Sequence, residues 1–180
     1  DKKIQQFLQD NHSPLYARLL RRQWLNSLYK NKQWSAYAAN YRNSKSKQGQ
    51  CRYQWARYQL NYKTKALTAV KKIWLTGYSL PKDCDKLLAK FTQSSLLTQK
   101  LIWQRFKLAV NARQYDLASY LQNKMTSKKA KQDAKQWLLL LKNPDLIAKA
   151  NLLQSVSKAQ KDDMFVYAVR RMIGGDVDKA

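Results

Sequence analysis

The stretch IWLTGYSLPKDCDKLL, Ile73–Leu88, decides the fold. It reads as the end of one helix, a turn through Gly77 and Pro81, and the start of a second helix with Cys84 at its entrance. Gly77 fits the position just past a helix, where a residue without a Cβ takes a left-handed backbone at little cost. Pro81 fits the first position of a new element, because the N–H it lacks would find no partner there.

Outward from this turn the same pattern continues in both directions, with apolar residues recurring at three- and four-residue spacing. Ser13 is the expected N-cap and Pro14 the expected first residue of a helix running through Leu15, Leu19, Trp24 and Leu28 to about Lys30. NKQWSAYAANY forms a shorter helix, and RNSKSKQGQ reads as a polar turn. The pair Gln50–Asn61 and Lys63–Thr76 follows, split by a tight break. Further helices are expected over Lys82–Phe91, Thr98–Ala112, Tyr115–Lys124, Lys129–Leu141, Pro144–Leu153 and Lys161–Ile173.

About eleven short helices leave no room for a sheet, so the fold class is all-α. Only 4 Gly and 3 Pro in 180 residues agree, since a β-rich chain of this length needs more turn residues. A weak echo recurs at KNKQWSAYAANY, LNYKTKALTAV, NARQYDLASYL and the truncated GGDVDKA: a polar break, an aromatic or branched residue, then Ala or Leu pairs. Its spacing is irregular. It suits a superhelical solenoid in which each helix pair buries its face on its neighbours, with residues 1–180 part of one such domain. IGGDVDKA reads as the start of another helix pair, so the protein is expected to continue beyond Ala180.

The formal charge is +24, from 35 Lys and Arg against 11 acids, and every acid is Asp. Such a charge draws a protein to polyanions: nucleic acid, an anionic membrane surface or an anionic cell-wall polymer. No apolar run at the start has signal-peptide length, and the longest apolar run, Trp137–Leu141, is far short of the ~20 residues of a membrane span. The chain is then either cytosolic or free of a leader that was removed.

The chemistry the residues can support is narrow. His12 is the single histidine, in a polar turn. With two cysteines it gives too few soft ligands for a structural zinc site, so no metal or cofactor is expected. There is no C-x-x-C, no Gly-rich phosphate loop and no G-x-S-x-G elbow. Asp83–Asp85 and Asp162–Asp163 sit at helix starts, where negative charge meets the positive end of the helix dipole. Basic and aromatic residues interleave in RRQWLNSLYKNKQW and CRYQWARYQLNYK. That pattern can stack bases or sugar rings, but at helical spacing aromatics are usually core. Trp24, Leu28, Tyr53, Trp55, Leu60, Ile73 and Trp74 are therefore expected to pack between helices.

Cys51 and Cys84 admit three readings: buried inert thiols, a reactive thiolate at the helix N-terminus for Cys84, or a disulfide. The layout favours the last. Cys51 opens one helix, the next helix runs back over a similar length, and Cys84 opens the third, so both sulfurs could lie at one end of the hairpin.

Gly49 to Phe91 resembles the superhelical domain of the soluble lytic murein transglycosylases of Gram-negative bacteria. The resemblance rests on QC-x-Y at Gln50, Cys51 and Tyr53, on the helix end Trp74–Gly77, and on P-x-x-CDKL at Pro81–Leu87. It extends more loosely over FLQDNHSPLYARLLRRQWLNSLYKNKQWSAY, and beyond about Leu117 rests on helical pattern alone. It implies a periplasmic enzyme in which a ring-forming helical region precedes a lysozyme-like catalytic domain. That domain cleaves the MurNAc–GlcNAc bond of peptidoglycan and leaves a 1,6-anhydro end. It also implies a Cys51–Cys84 disulfide, which suits an oxidising compartment. The glutamate acid such cleavage requires has no counterpart in a chain without Glu, so no residue here is expected to be catalytic.

Two functions follow as expectations. In the first, this is the noncatalytic helical segment of such an enzyme, scaffolding its catalytic domain and holding glycan strands whose peptide stems carry carboxylates. Arg21, Arg22, Arg57, Lys71 and Lys72 are the candidate contacts. In the second, a basic helical repeat binds nucleic acid; no readout motif supports it, and the charge is spread along the chain.

Overall fold

The computed structural model describes residues 3–4, 6–7, 14–149, 151–154 and 156–177. His12 and Ser13 lie outside them. Among the described residues there is no strand, and the architecture is all-α, built of short helices that pack as successive pairs. The helices are α1 (Pro14–Lys30), α2 (Trp34–Asn40), α3 (Lys47–Gln59), α4 (Lys63–Trp74), α5 (Asp85–Thr92), α6 (Gln99–Asn111), α7 (Tyr115–Asn123), α8 (Lys128–Lys142) and α9 (Lys158–Val177). Two 3₁₀ turns, Lys82–Cys84 and Pro144–Ala148, complete the described elements.

Three of the four echoes in the sequence mark one recurring turn. Lys32, Asn61 and Arg113 adopt left-handed backbone, with φ of 56°, 66° and 57°. Each is flanked by the same pair of hydrogen bonds. Gln33, Tyr62 and Gln114 donate their N–H to the carbonyls of Leu28, Arg57 and Ala109, five residues back. Lys32, Asn61 and Arg113 donate to Tyr29, Tyr58 and Val110, three back. This is the Schellman closure of a helix, which satisfies carbonyls that the helix end leaves open. The fourth echo is not a turn: α9 runs on through Gly174 and Gly175, two glycines weakening a helix by only ~1 kcal/mol each.

Other boundaries move for identifiable reasons. α3 starts at Lys47, not Gln50, because Ser46 caps it by accepting from the Gly49 N–H. Its first turn, Lys47–Gln50, carries no apolar side chain, so hydrophobic spacing gave no sign of it. Thr98 and Ser127 cap α6 and α8 in the same way. The expected helix over Pro144–Leu153 is the short 3₁₀ turn followed by irregular turns, and Lys149 is already extended. Packing of that turn on α8 and α9 overrides the local periodicity. α4 stops at Trp74, and Gly77 has no positive φ. Gly77 is required for a different reason: a Cβ there would lie 2.3 Å from the Leu108 carbonyl oxygen of α6.

The chain forms two compact units, Asp1–Ile73 with Pro81–Gln93, and Trp74–Leu80 with Ser94–Ala180. In the first, Trp24 and Leu28 of α1, Tyr37 of α2 and Ala56 of α3 form a buried cluster. Stacked rings extend it, Tyr41 lying 4.3 Å from Tyr53. Ala66, Val70 and Ile73 of α4 and Leu87 and Phe91 of α5 are also buried in this unit. In the second unit the buried faces are Phe106, Ala109 and Val110 on α6, Ala118 and Leu121 on α7, Trp137 and Leu141 on α8, and Met164 and Ala168 on α9. Of the aromatic and aliphatic residues expected in the core, Trp24, Leu28, Ile73 and Trp74 are buried, whereas Tyr53, Trp55 and Leu60 are half-buried.

Candidate functional site

The first unit is organised around one covalent link. Cys51 in α3 and Cys84 at the end of the 3₁₀ turn form a disulfide with Cα atoms 5.0 Å apart, both residues fully buried. A polar network sits beside it. Arg52, next to Cys51, donates from Nε to Asp83, next to Cys84, at 2.5 Å. Arg52 also donates to Asn26 Oδ1 of α1 at 2.6 Å, and its guanidinium lies 4.9 Å from the Tyr29 ring centroid. Gln48 donates to the other Asp83 oxygen at 2.8 Å. Partial burial pushes the Asp83 carboxyl upward, but the hydrogen bonds from Arg52 and Gln48 and the Arg52 charge outweigh it and hold the group below the usual carboxylate range.

The second unit holds a buried cation. Arg105 of α6 is 3% exposed, its guanidinium 4.0 Å from the Trp74 ring centroid. One of its terminal nitrogens donates to the Tyr78 carbonyl at 3.3 Å, and among the described residues no salt bridge compensates the charge. Desolvation lowers its pKa to about 10. These contacts, with Gly77 against Leu108, fasten the segment Trp74–Leu80 to α6.

The cations expected from the sequence lie on three different helices, and among the described residues no hydrogen bond or ion pair joins them. Arg21 and Arg22 lie on α1, Arg57 on α3, and Lys71 and Lys72 on α4. Arg21 is half-buried; that burial, and next the charge of Arg42, push its pKa down. Arg57 donates to Gln54 and lies 5.7 Å from the Tyr53 ring. Arg22 and Lys72 are exposed.

Two open grooves concentrate basic and aromatic side chains instead. One, of about 450 Å³ in the first unit, is lined by residues of α1, α2, α3 and α5 and includes Trp34, Arg52 and Trp55. The other, of about 620 Å³ in the second unit, includes Arg113, Trp137 and Arg170. Most residues of the first groove sit inside the two interleaved strings RRQWLNSLYKNKQW and CRYQWARYQLNYK. That signal was available in the sequence; which members of the strings face one groove was not. Among the described residues no cluster of three or more His, Cys, Asp or Glu could hold a metal ion, and no helix is long and apolar enough to cross a membrane.

The soluble lytic murein transglycosylase of Escherichia coli (strain K12) is 27% identical over 123 residues, covering 68% of this chain and 19% of that protein. That of Salmonella typhimurium is 28% identical over the same length and shares. The 70 kDa soluble lytic transglycosylase SLT70 of E. coli superposes with a TM-score of 0.77 at 22% identity, over 98% of this chain and 28% of its own. The chain is similar to soluble lytic murein transglycosylases in sequence, and it shares its helical fold with part of SLT70. An inactive mutant of lytic transglycosylase Slt from Pseudomonas aeruginosa gives a TM-score of 0.76 at 23% identity, over 96% and 28%. The family profile that matches, cucumovirus coat protein over residues 52–166, points elsewhere, and the fold decides against it. Capsid domains are commonly β jelly rolls, while the described residues hold no strand and superpose almost end to end on an all-α region of a transglycosylase. The chain spans about a fifth of the length of the curated relatives it matches.

Proposed function

We propose that these 180 residues are a noncatalytic helical segment of a lytic transglycosylase acting on peptidoglycan. They form part of one ring-forming superhelical domain that scaffolds a lysozyme-like catalytic domain of the same protein and holds glycan strands near it. The parent enzyme cleaves the MurNAc–GlcNAc bond with a 1,6-anhydro product. Kinship with murein transglycosylases carries this reading. The absence of Glu supports a noncatalytic role, because the glutamate acid that the resemblance to lytic transglycosylases implies then lies outside the segment. A buried disulfide supports a periplasmic location. A charge of +24 supports attraction to a polymer bearing stem-peptide carboxylates.

The test is sedimentation of the purified chain with isolated sacculi. It should co-sediment at ~0.01 M salt, where screening reaches only beyond ~30 Å, and be released at ~1 M. A chain that stays in the supernatant at low salt would falsify the glycan-holding role.

A further inference from the structure

We propose that the first-unit groove is a subsite for a saccharide that carries carboxylates, with the aromatic rings receiving the sugar and the lysines receiving the charge. This rests on the peptidoglycan reading above and deepens it.

Three observations converge. First, the cations in the groove outnumber what the fold uses. Lys30 and Lys32 come from the end of α1 and its turn, Arg52 from α3 and Lys86 from α5, and the groove lining includes no carboxylate. Arg52 is engaged by Asp83 and Asn26. Among the described residues no salt bridge takes up the three lysines, and Lys30, Lys32 and Lys86 are all exposed. Like charges gathered in a concavity repel one another unless an anion joins them.

Second, Lys32 works against its own backbone. Its φ is 56°, a conformation glycine adopts freely and a lysine side chain does not. The turn itself is closed by backbone hydrogen bonds, so folding has no use for the lysine amine. An unfavourable residue at a functional surface points to a role beyond the fold.

Third, the rings are held in place before any ligand arrives. Trp34 meets Tyr29 edge to face at 5.3 Å, and Trp55 lies parallel to Tyr58 at 5.5 Å. Fixed rings spare the ordering cost that binding would otherwise incur. The volume, about 450 Å³, lies within the ~300–1,000 Å³ typical of small-ligand sites.

The ligand class follows from the combination. A neutral sugar would leave the lysines unused, and a simple inorganic anion would leave the rings unused. Phosphate is best gripped by a free guanidinium fork, and the single arginine here already spends its Nε and one terminal nitrogen on Asp83 and Asn26. Lysine point charges beside aromatic faces fit a pyranose ring with carboxylate substituents.

The test uses the purified 180-residue chain and a soluble disaccharide-tetrapeptide from digested murein, titrated by tryptophan fluorescence. A neutral chitin disaccharide and a short single-stranded oligonucleotide serve as comparison probes. The variant is Lys32→Gly with Lys86→Gln. Lys32→Gly removes the amine while relieving the left-handed backbone, so weaker binding with an unchanged or raised melting temperature cannot come from unfolding. Each exposed charge contact is worth about threefold, so the double variant should bind the murein fragment about tenfold more weakly. Binding of the chitin disaccharide should be weak in both proteins. Unaltered affinity in the variant, or an equal or larger loss of oligonucleotide binding, overturns the subsite. Sacculus binding without fragment binding removes the groove and leaves the peptidoglycan reading standing. Failure to bind either removes both.

Discussion

Gly77→Ala is the sharpest perturbation of the second unit. A Cβ built at Gly77 lies 2.3 Å from the Leu108 carbonyl oxygen, 2.9 Å from the Leu108 carbonyl carbon and 2.9 Å from the Ala112 Cβ. It falls short of ordinary contact, 3.4 Å, by about 1 Å. The obstacle is the backbone of α6, which cannot rotate aside as a side chain can. Relief requires the segment Trp74–Leu80 to lift from α6, loosening Trp74 from Arg105 and Arg105 from the Tyr78 carbonyl. Overpacking of this kind costs ~1–3 kcal/mol, while alanine returns ~0.4–1 kcal/mol by restricting the unfolded chain. A net loss of ~2 kcal/mol corresponds to a fall of roughly 4–8 °C in melting temperature for a chain of this size. Thermal and urea unfolding followed by circular dichroism measure it. Gly49→Ala is the control: its Cβ meets side chains rather than backbone, Ser44 at 3.2 Å and the Tyr41 ring at 3.6 Å, and it lies inside α3, where alanine gains ~1 kcal/mol of helix propensity. It should be neutral or stabilising. A Gly77→Ala protein that melts at or above the parent temperature would refute the close-approach argument.

Replacing both cysteines by serine should cost ~4 kcal/mol, from the 33-residue separation of Cys51 and Cys84 and the chain-entropy account, and a reducing agent should shift the urea midpoint of the parent but not of the variant. Asp83→Asn should cost ~1 kcal/mol at neutral pH. Because the folded-state pKa of Asp83 is depressed, its contribution is present above the unfolded value and lost as pH falls through the folded one, so urea midpoints of parent and variant should converge in acid. Arg105→Met should be within ~1 kcal/mol of the parent in the same assay, since it fills the space and removes an uncompensated buried charge. Arg105→Ala, which leaves a cavity, should lose ~2–3 kcal/mol. Arg113→Gly should raise stability by ~0.5–1 kcal/mol by relieving its positive φ, whereas Asn61→Gly should change little, as asparagine tolerates that conformation.

The helices were legible in the sequence because their buried faces repeat with helical period, and Pro14 opens its helix as expected, whereas Thr98, expected as the first residue of a helix, is its cap. The start of α3 was hidden because Lys47–Gln50 is polar, so only the Ser46 hydroxyl marks it. Gly77 was visible as special but for the wrong reason: local rules offer a left-handed cap, while the true constraint is a carbonyl 31 residues away on α6. The pairing of Cys51 with Cys84 could be favoured from helix lengths but not fixed, since the direction of each side chain depends on packing. The groove failed for the same reason. Its residues stand in the basic–aromatic strings, yet Lys86 joins them only because the disulfide brings α5 beside α3. Interleaving tells which residue types are present, not which of them share a wall.

Both units are discontinuous in sequence, and this governs how the chain can be made. Residues up to Ile73 lack the piece Pro81–Gln93 that completes their unit, and Ser94 onward lacks Trp74–Leu80. A chain emerging from the ribosome or through a translocation channel therefore cannot finish the first unit before the strap destined for the second has also emerged. The disulfide closes a loop that contains that strap, so the link between Cys51 and Cys84 can form only after the strap has emerged. Neither unit can be excised at a single cut.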